Sequence, residues 1–249
     1  MEQDIPFLGV GCAGWSIPKQ YAGRFPAHGT HLERYARRLP VVEIDSSFSR
    51  SHRPSTYARW AASVPDAFRF AVKMPGEITR TRRLAKATDA LEEFLSGVQA
   101  LGPKLGLLLI QLPPNLSFGI RVTEPFFAAL RHDYAGQVVC EPRHLSWFTE
   151  EVENFLRTMR VARVAVDPAI TPEAACPGGW SGLGYYRLHG SPRMYYSSYA
   201  EGYLEKFARE LVASARARPT WCIFDNTGFG AVTTNALGLM ERLRAGKQP

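Results

Sequence analysis

Residues 137–144, QVVCEPRH, start as an apolar run and end in Glu141, Arg143 and His144. A carboxylate, a guanidinium and an imidazole are costly to remove from water, so a buried strand that ends in them must pair them or use them. Carboxylates and imidazoles act as general acids and bases, and a guanidinium binds anions. This short stretch therefore indicates a site at the end of a strand.

The same order, apolar first and polar last, recurs in seven of the eight β-rich runs along the chain. The polar residues at their ends are Glu43, Asp45, Ser47, Lys73, Gln111, Glu141, Arg143, His144, Asp167, Arg187, His189, Asp225 and Asn226. In a parallel barrel, the C-terminal ends of the strands form the rim where ligands bind. We therefore expect these groups to meet in one barrel mouth.

Strand geometry divides these groups from their apolar neighbours, because side chains two residues apart share a face. Arg187 and His189, for example, alternate with Tyr186 and Leu188. The polar set is then predicted to line the mouth while the apolar set packs on helices. From it we select as candidate catalytic residues Glu43, Asp45, Glu141, His189 and Asp225, with Glu141 or His189 as the general base.

A second group of residues could bind an anion. Lys73, Arg143 and Arg187 would stabilise negative charge at the rim. The tetrapeptide Thr227-Gly-Phe-Gly precedes the last helix, and Gly228 and Gly230 are typical of a loop that binds phosphate with a helix N-terminus.

A divalent metal is the alternative cofactor at the same rim. The carboxylates and histidines that could serve as its ligands are Glu43, Asp45, Glu141, His144, His189 and Asp225. The sequence has no HxH or HExxH spacing, and Lys73, Arg143 and Arg187 would repel a cation. A metal-free anion site is therefore favoured. A purely structural alternative is a buried ion-pair network that joins Glu43 to Lys73 and Glu141 to Arg187.

The spacing of the β-rich runs predicts the fold that would bring these residues together. The runs are 8–15, 41–48, 68–75, 105–113, 137–144, 162–168, 185–191 and 220–227, about one βα unit apart. They predict a single α/β domain over residues 1–249, a TIM-type (β/α)8-like barrel with an irregular Pro- and Gly-rich segment, 168–184, after the sixth strand. An open doubly wound sheet is the structural alternative.

Helical patterns lie between several of these runs. The windows are 30–39, which opens with the capping box Thr30 and Glu33, then 88–101, 149–159 and 199–215, and a last helix after Gly230.

Composition sets wider limits on function. The 249 residues are 45% hydrophobic, and Lys+Arg 30 against Asp+Glu 23 gives a net charge of +7, which favours an anionic partner. Arg80, Arg82, Arg83 and Lys86 form a basic stretch suited to a polyanion. The four cysteines lack metal spacing and resemble reduced core thiols. With no apolar segment of membrane length and an acidic start, the expected location is the cytoplasm, and the sequence does not fix the oligomeric state.

Six short motifs in order give the chain a family resemblance. VEIDSSF, RWAASVPDAFRFAVKMPGEIT, QLPP, EPRHLSWF, YYRLHGS and FDNT together resemble the YecE-like domain-of-unknown-function family, DUF family 72, over almost the whole chain. The resemblance implies a TIM-type barrel and brings no established activity. The chain departs from the family pattern at Ser49, Arg80 and Asp225, where the family tends to have Tyr, His and Asn.

These observations favour an enzyme that acts on a phosphorylated or nucleic-acid-like anionic substrate, of hydrolase or lyase type. The alternative is a non-catalytic protein that binds nucleic acid or a phosphorylated metabolite. Aromatic residues just past strand ends could stack on a base or sugar ring; they are Trp15, Phe48, Trp147, Tyr195 and Tyr196. A retaining glycosidase is less favoured because the fourth and seventh strands end in Gln111 and His189 rather than carboxylates. A serine hydrolase lacks its GxSxG motif.

Overall fold

A computed structural model describes residues 7–245 and places ten strands in one sheet. The strands are β1 (Leu8–Ala13), β2 (Val41–Ile44), β3 (Arg69–Lys73), β4 (Leu105–Gln111), β5 (Gln137–Glu141), β6 (Val161–Arg163), β7 (Ala165–Asp167), β8 (Gly178–Gly179), β9 (Gly184–Leu188) and β10 (Thr220–Phe224). Only β8 is antiparallel, on β6. The sheet order is β7-β9-β10-β1-β2-β3-β4-β5-β6-β8.

The sheet closes on itself at Val164. β6 pairs with β5, whereas β7 pairs with β9 at the other end of the sheet order. Because β6 and β7 are separated only by Val164, whose N–H donates to the Cys140 carbonyl at 2.8 Å, the two ends of the sheet are consecutive stretches of chain. The predicted TIM-type barrel is confirmed, and this closure excludes the open sheet.

Seven α-helices cover the described part of the barrel. They are α1 (His31–Ala36), α2 (Pro54–Ala62), α3 (Thr88–Val98), α4 (Ile120–Asp133), α5 (Glu150–Thr158), α6 (Glu201–Ala217) and α7 (Ala231–Ala245). Each predicted helical window overlaps one of them, although α6 runs two residues past its window, and the Thr30–Glu33 capping box is formed. The sequence reading missed α2 and α4, which contain Pro54 and Pro125. Within residues 7–245, no helix has the length and apolar character needed to cross a membrane.

The segment between β7 and β9 is irregular, as predicted. It holds one 3-10 turn, Pro172–Ala175, and the two-residue strand β8 in place of an α-helix.

Several strands end earlier than the sequence predicted. β2 ends at Ile44, and Ser46–Phe48 form a 3-10 turn, so the expected alternation through Asp45 and Ser47 is wrong. β9 and β10 end at Leu188 and Phe224, one residue before a polar side chain. The charged rim is thus built partly from strand interiors and partly from the first loop residues.

The barrel interior has an apolar lower part and a polar upper part. Its apolar cluster includes Val41, Val139, Tyr185 and Ile223 among its members. Two residues further along the same strands, on the same face, stand Glu43, Glu141, Arg187 and, just beyond β10, Asp225. A separate apolar layer lies between the sheet and the helices. Strand alternation therefore directs the charged residues into the mouth.

The pairing of β1 with β2 depends on a residue without a side chain. A Cβ atom added to Gly11 would lie 2.1 Å from the Val41 carbonyl oxygen, a backbone atom in the neighbouring strand. Gly11→Ala is therefore expected to lower the free energy of unfolding by about 3 kcal/mol, at the upper end of what overpacking costs. Urea unfolding followed by circular dichroism would measure this change.

Gly23→Ala is the matched control, because nothing lies within 4 Å of the Cβ position there. We expect it to change the free energy of unfolding by less than about 1 kcal/mol. Equal stabilities of the two variants would show that β1 and β2 can separate without loss.

Candidate active site

Arg187 lies at the centre of a buried ion-pair cluster and is fully buried. Its Nε and Nη2 donate to Glu43 Oε2 and Oε1 at 3.1 and 2.7 Å, a bidentate pair. Nη1 donates to Glu141 Oε2 at 2.5 Å, and Nη2 also donates to Asp225 Oδ2 at 3.0 Å. One guanidinium thus joins carboxylates from β2, from β5 and from the first residue after β10, and its planar fork of donors suits this task. We call these four residues the Arg187 cluster.

The two glutamates of the cluster have opposite pKa shifts. Burial raises the pKa of Glu43, and Arg187 only partly opposes this effect. Glu43 also accepts a hydrogen bond from the Tyr185 hydroxyl at 2.8 Å. For Glu141, burial would raise the pKa, but Arg187 and Arg143 outweigh it and hold that pKa well below its usual value. Glu141 is therefore a fixed anion at neutral pH rather than a proton carrier.

The second oxygen of Glu141 connects the cluster to the rim. Glu141 Oε1 accepts from Arg143 Nε at 2.7 Å and from Gln111 Nε2 at 3.1 Å. Arg143 Nη1 donates a hydrogen bond to the Tyr195 hydroxyl at 3.2 Å. Its Nη2 is buried and has no hydrogen-bond partner within residues 7–245. Arg143 therefore retains one donor for a bound group.

His189 is oriented by Asp225. The His189 Nδ1 lies 3.0 Å from Asp225 Oδ2, and since a carboxylate only accepts, Nδ1 carries the proton. The buried Nε2 makes no hydrogen bond to the part of the chain that the structure describes; it is 3.5 Å from Glu141 Oε1. Although burial lowers the pKa of His189, Glu141 and Asp225 raise it above its usual value. An imidazole with one nitrogen fixed and the other available can carry a proton to a substrate.

Tyr195 covers His189. The two rings are nearly perpendicular, with centroids 5.6 Å apart. The Tyr195 N–H donates to the His189 carbonyl at 2.5 Å, and the backbone has a left-handed φ of 69°. The sequence reading recognised Tyr195 only as one of several aromatics beyond a strand end. Its left-handed backbone and its contact with Arg143 had no signal in the sequence.

Lys73 and Asp45 form a separate pair. Lys73 Nζ donates to Asp45 Oδ1 at 2.6 Å and lies 4.4 Å from the centroid of the Phe48 ring. Of the two ion pairs weighed from the sequence, Glu141 with Arg187 is present. The pair of Glu43 with Lys73 is not formed. Glu43 pairs with Arg187 instead, and because β2 ends at Ile44, Asp45 faces Lys73 and pairs with it. Asp45 is thus outside the Arg187 cluster.

Gly228 and Gly230, predicted to bind an anion, have backbone amides that donate within the chain. The Gly228 N–H donates to the Tyr195 carbonyl at 2.9 Å, and the Gly230 N–H donates to the Thr227 carbonyl at 3.1 Å. Both amides are therefore engaged by the chain. Gly230 has φ of 77°, a conformation that favours glycine, so it serves the turn.

Part of the basic stretch 80–86 is engaged by neighbouring residues. Arg82 pairs with Glu77 at 2.7 Å and with Asp89 at 2.5 Å. Arg83 donates to Asn115 Oδ1 and its carbonyl oxygen. Two of its four basic side chains thus make structural contacts, and only the charge of Arg82 is offset by carboxylates, while Arg80 and Lys86 are exposed.

The structure does not support the alternative of a divalent metal. Within residues 7–245, no group of three or more His, Cys, Asp or Glu side chains is placed to hold a metal ion. Glu43, Glu141 and Asp225 instead share the cation Arg187. His144 Nδ1 is 2.9 Å from the Ser146 hydroxyl, in the loop beyond β5. The donor set therefore fits an internal guanidinium rather than a divalent ion.

Comparisons with known proteins agree with this architecture. A family model described as "Protein of unknown function DUF72" matches residues 9–249. The UPF0759 protein YecE of Escherichia coli K12 is 33% identical over 112 residues, which cover 45% of this chain and 39% of YecE. The UPF0759 protein YunF of Bacillus subtilis 168 is 26% identical over 160 residues, 59% of this chain and 56% of YunF. The matched regions thus span 39% and 56% of the length of these two curated relatives.

Solved structures share the fold. A DUF72 family protein from Thermotoga maritima MSB8 has a TM-score of 0.78 at 24% identity, covering 96% of this chain and 99% of its own. One from Enterococcus faecalis V583 has the same TM-score at 21% identity, with 96% of each chain covered. A D-psicose 3-epimerase from Clostridium cellulolyticum H10 has a TM-score of 0.55 at 10% identity, with coverage of 96% and 98%. These likenesses concern the barrel alone.

Removal of the central cation should destabilise the barrel. Arg187→Met would leave Glu43, Glu141 and Asp225 facing one another without a cation. We expect the free energy of unfolding at pH 7, measured with urea, to fall by about 3–5 kcal/mol. The difference in unfolding free energy between the variant and the parent should become smaller as the pH falls towards about 5, because the closely spaced carboxylates of the variant then take up protons. As a control, Arg24→Met removes the exposed ion pair with Glu241 and should cost at most about 1 kcal/mol. An Arg187→Met protein as stable as the parent at pH 7 would contradict this role.

The raised pKa of His189 predicts how its stabilising effect depends on pH. A group whose pKa is higher in the folded than in the unfolded state stabilises fully below the unfolded pKa, about 6.5 for histidine. That contribution is lost as the pH rises through the folded pKa. The difference in unfolding free energy between the parent and His189→Gln should therefore be larger at pH 6 than at pH 9. A difference that grows with pH would mean that the buried imidazole is neutral.

Proposed function

The chain belongs to the DUF72 family of proteins of unknown function, and from this premise we propose that it is an enzyme that cleaves a phosphate-bearing anionic substrate at the barrel mouth. The observation that carries the proposal is the His189–Asp225 pair, in which Nδ1 is fixed at 3.0 Å and the buried Nε2 has no hydrogen-bond partner among the described residues. Fixing one imidazole nitrogen with a carboxylate is how acid–base histidines are oriented.

The raised pKa assigns His189 the role of general acid. Although burial disfavours the imidazolium, Glu141 and Asp225 raise the pKa of His189 above its usual value and so stabilise the protonated form that a general acid needs. In hydrolysis, water attacks phosphorus and the bond to the leaving oxygen breaks. His189 Nε2 gives its proton to that oxygen, and the proton that the attacking water releases restores the imidazolium.

Arg143 and Lys73 support binding of the anion. The Nη2 of Arg143 is buried without a hydrogen-bond partner in the described chain, close to His189 through the shared contacts with Glu141 and Tyr195. Lys73 is 7% exposed, and a ligand anion could share its ammonium with the half-exposed Asp45. Arg187 serves differently: its donors are committed to three carboxylates, so it positions Glu141 and Asp225 rather than binding substrate.

The second function considered, non-catalytic binding of nucleic acid or a phosphorylated metabolite, rests mainly on net charge. The contacts of Arg82 with Glu77 and Asp89 weaken it, because they engage part of the basic stretch. Such a protein would bind with a steep salt dependence and without turnover.

The proposal is tested by activity on p-nitrophenyl phosphate, bis(p-nitrophenyl) phosphate and a panel of sugar and nucleoside phosphates. We expect turnover of at least one compound, and His189→Gln should lower kcat by about 100-fold or more. Arg143→Gln should mainly raise KM, because it removes anion binding. His132→Gln changes an exposed histidine on α4 and should leave both constants unchanged.

Two results would contradict the proposal. If no phosphate compound is turned over and binding alone is seen, the non-catalytic function is supported. If a compound is turned over with the same kcat by His189→Gln, the chemistry lies elsewhere.

A further inference from the structure

Two aromatic rings beside the barrel mouth contact each other and both remain exposed to solvent. Phe229, in the loop after β10, is 69% exposed, and Tyr196, in the loop after β9, is 38% exposed. Their ring centroids are 5.0 Å apart with an interplanar angle of 58°. The Arg193 guanidinium lies 4.2 Å from the Tyr196 centroid. We call Tyr196, Phe229 and Arg193 the rim patch.

The backbone of the rim patch is built to hold these rings. A Cβ atom on Gly228 would lie 2.7 Å from a Tyr196 ring carbon, so this ring rests directly on the glycine backbone. The Gly228 N–H donates to the Tyr195 carbonyl, and this bond ties the two loops together. The Thr227-Gly-Phe-Gly turn therefore supports one ring and presents the other to solvent.

Tyr195 joins the rim patch to the proposed catalytic histidine. Its ring packs on His189, its hydroxyl accepts from Arg143, and its carbonyl binds Gly228, while the next residue is Tyr196. A ligand whose anionic end meets Arg143 could therefore extend across Tyr195 onto the exposed rings.

We propose that the rim patch is a stacking subsite for the base of a nucleoside phosphate substrate. The inference rests on the proposed function and adds the class of substrate. Exposed aromatic rings stack on the flat faces of bases, and a guanidinium above a ring adds a planar cation that attracts the same electron-rich, anionic ligand. The added cation favours a nucleotide over a neutral sugar.

The test compares binding of AMP, GMP, CMP and UMP with binding of ribose 5-phosphate, which has the same sugar and phosphate but no base. Isothermal titration calorimetry at one fixed ionic strength would give the dissociation constants. At least one nucleotide should bind the parent protein about 10-fold more tightly than ribose 5-phosphate. Phe229→Ala should remove most of that advantage, a loss of roughly 5- to 10-fold, and leave the binding of ribose 5-phosphate unchanged.

Two further variants separate stacking from general surface effects. Phe229→Trp should keep the preference for the nucleotide, because an indole also stacks on bases. Ile120→Ala removes an exposed apolar side chain at the start of α4, 41% exposed, and should change none of the constants.

The outcomes distinguish this inference from the proposed function. If ribose 5-phosphate binds as tightly as all four nucleotides, or if Phe229→Ala changes nothing, the stacking subsite is overturned while the anion site stands. If none of the five compounds binds, the stacking subsite is overturned, and turnover of the phosphate compounds named above decides the proposed function separately. Binding of a nucleotide through Phe229 without turnover of any phosphate compound would support the subsite and contradict catalysis. Self-association that Phe229→Ala abolishes, with no nucleotide preference, would assign the patch to a second copy of the chain.

Discussion

The organisation of the barrel mouth depends on one constraint: three carboxylates project into a space from which water is largely excluded, so a cation must meet them there. Arg187 does so with three donor nitrogens and with four contacts of 2.5–3.1 Å. Such a cluster is not a simple gain in stability, because every charge in it has lost its hydration. Its effect is to fix Glu141 and Asp225, and these residues in turn set the proton affinity and orientation of His189.

The Arg187 cluster also gives the neighbouring charged residues different roles. A carboxylate held by two guanidiniums stays ionised, whereas an imidazole between two carboxylates holds its proton more tightly. The pKa of Glu141 falls well below its usual value, and that of His189 rises despite the burial that opposes it. Proton transfer is therefore concentrated on one residue, while the other charged groups act through position.

The residues of this site that could be predicted from the sequence are those in regular strands, and those that could not be predicted lie in loops or at strand ends. Glu43, Glu141 and Arg187 lie inside strands, where the two-residue alternation fixes their direction, so their meeting could be predicted. Asp45 follows the end of β2 and was misplaced, because no residue there signals where the strand stops. Tyr195 and the pairing of Gly228 with it depend on how two loops pack, which has no local pattern. Pro125 lies inside α4, where it opposes the helix that packing maintains, whereas Pro54 opens α2 at a position that favours proline, a start signal that the sequence prediction did not use.

The division of one barrel strand at Val164 also has a mechanical meaning. β1 and β10, which lie near the two ends of the chain, are matched over five residue pairs. On either side of Val164, by contrast, β6 contacts β5 and β7 contacts β9 over three pairs each. β1 and β2 are likewise matched over three pairs, so the barrel wall has three short joints, two of them at Val164. Because these two joints hold the two halves of one strand, a load that pulls the wall apart would free that divided strand more readily than β1, which has five further pairs with β10.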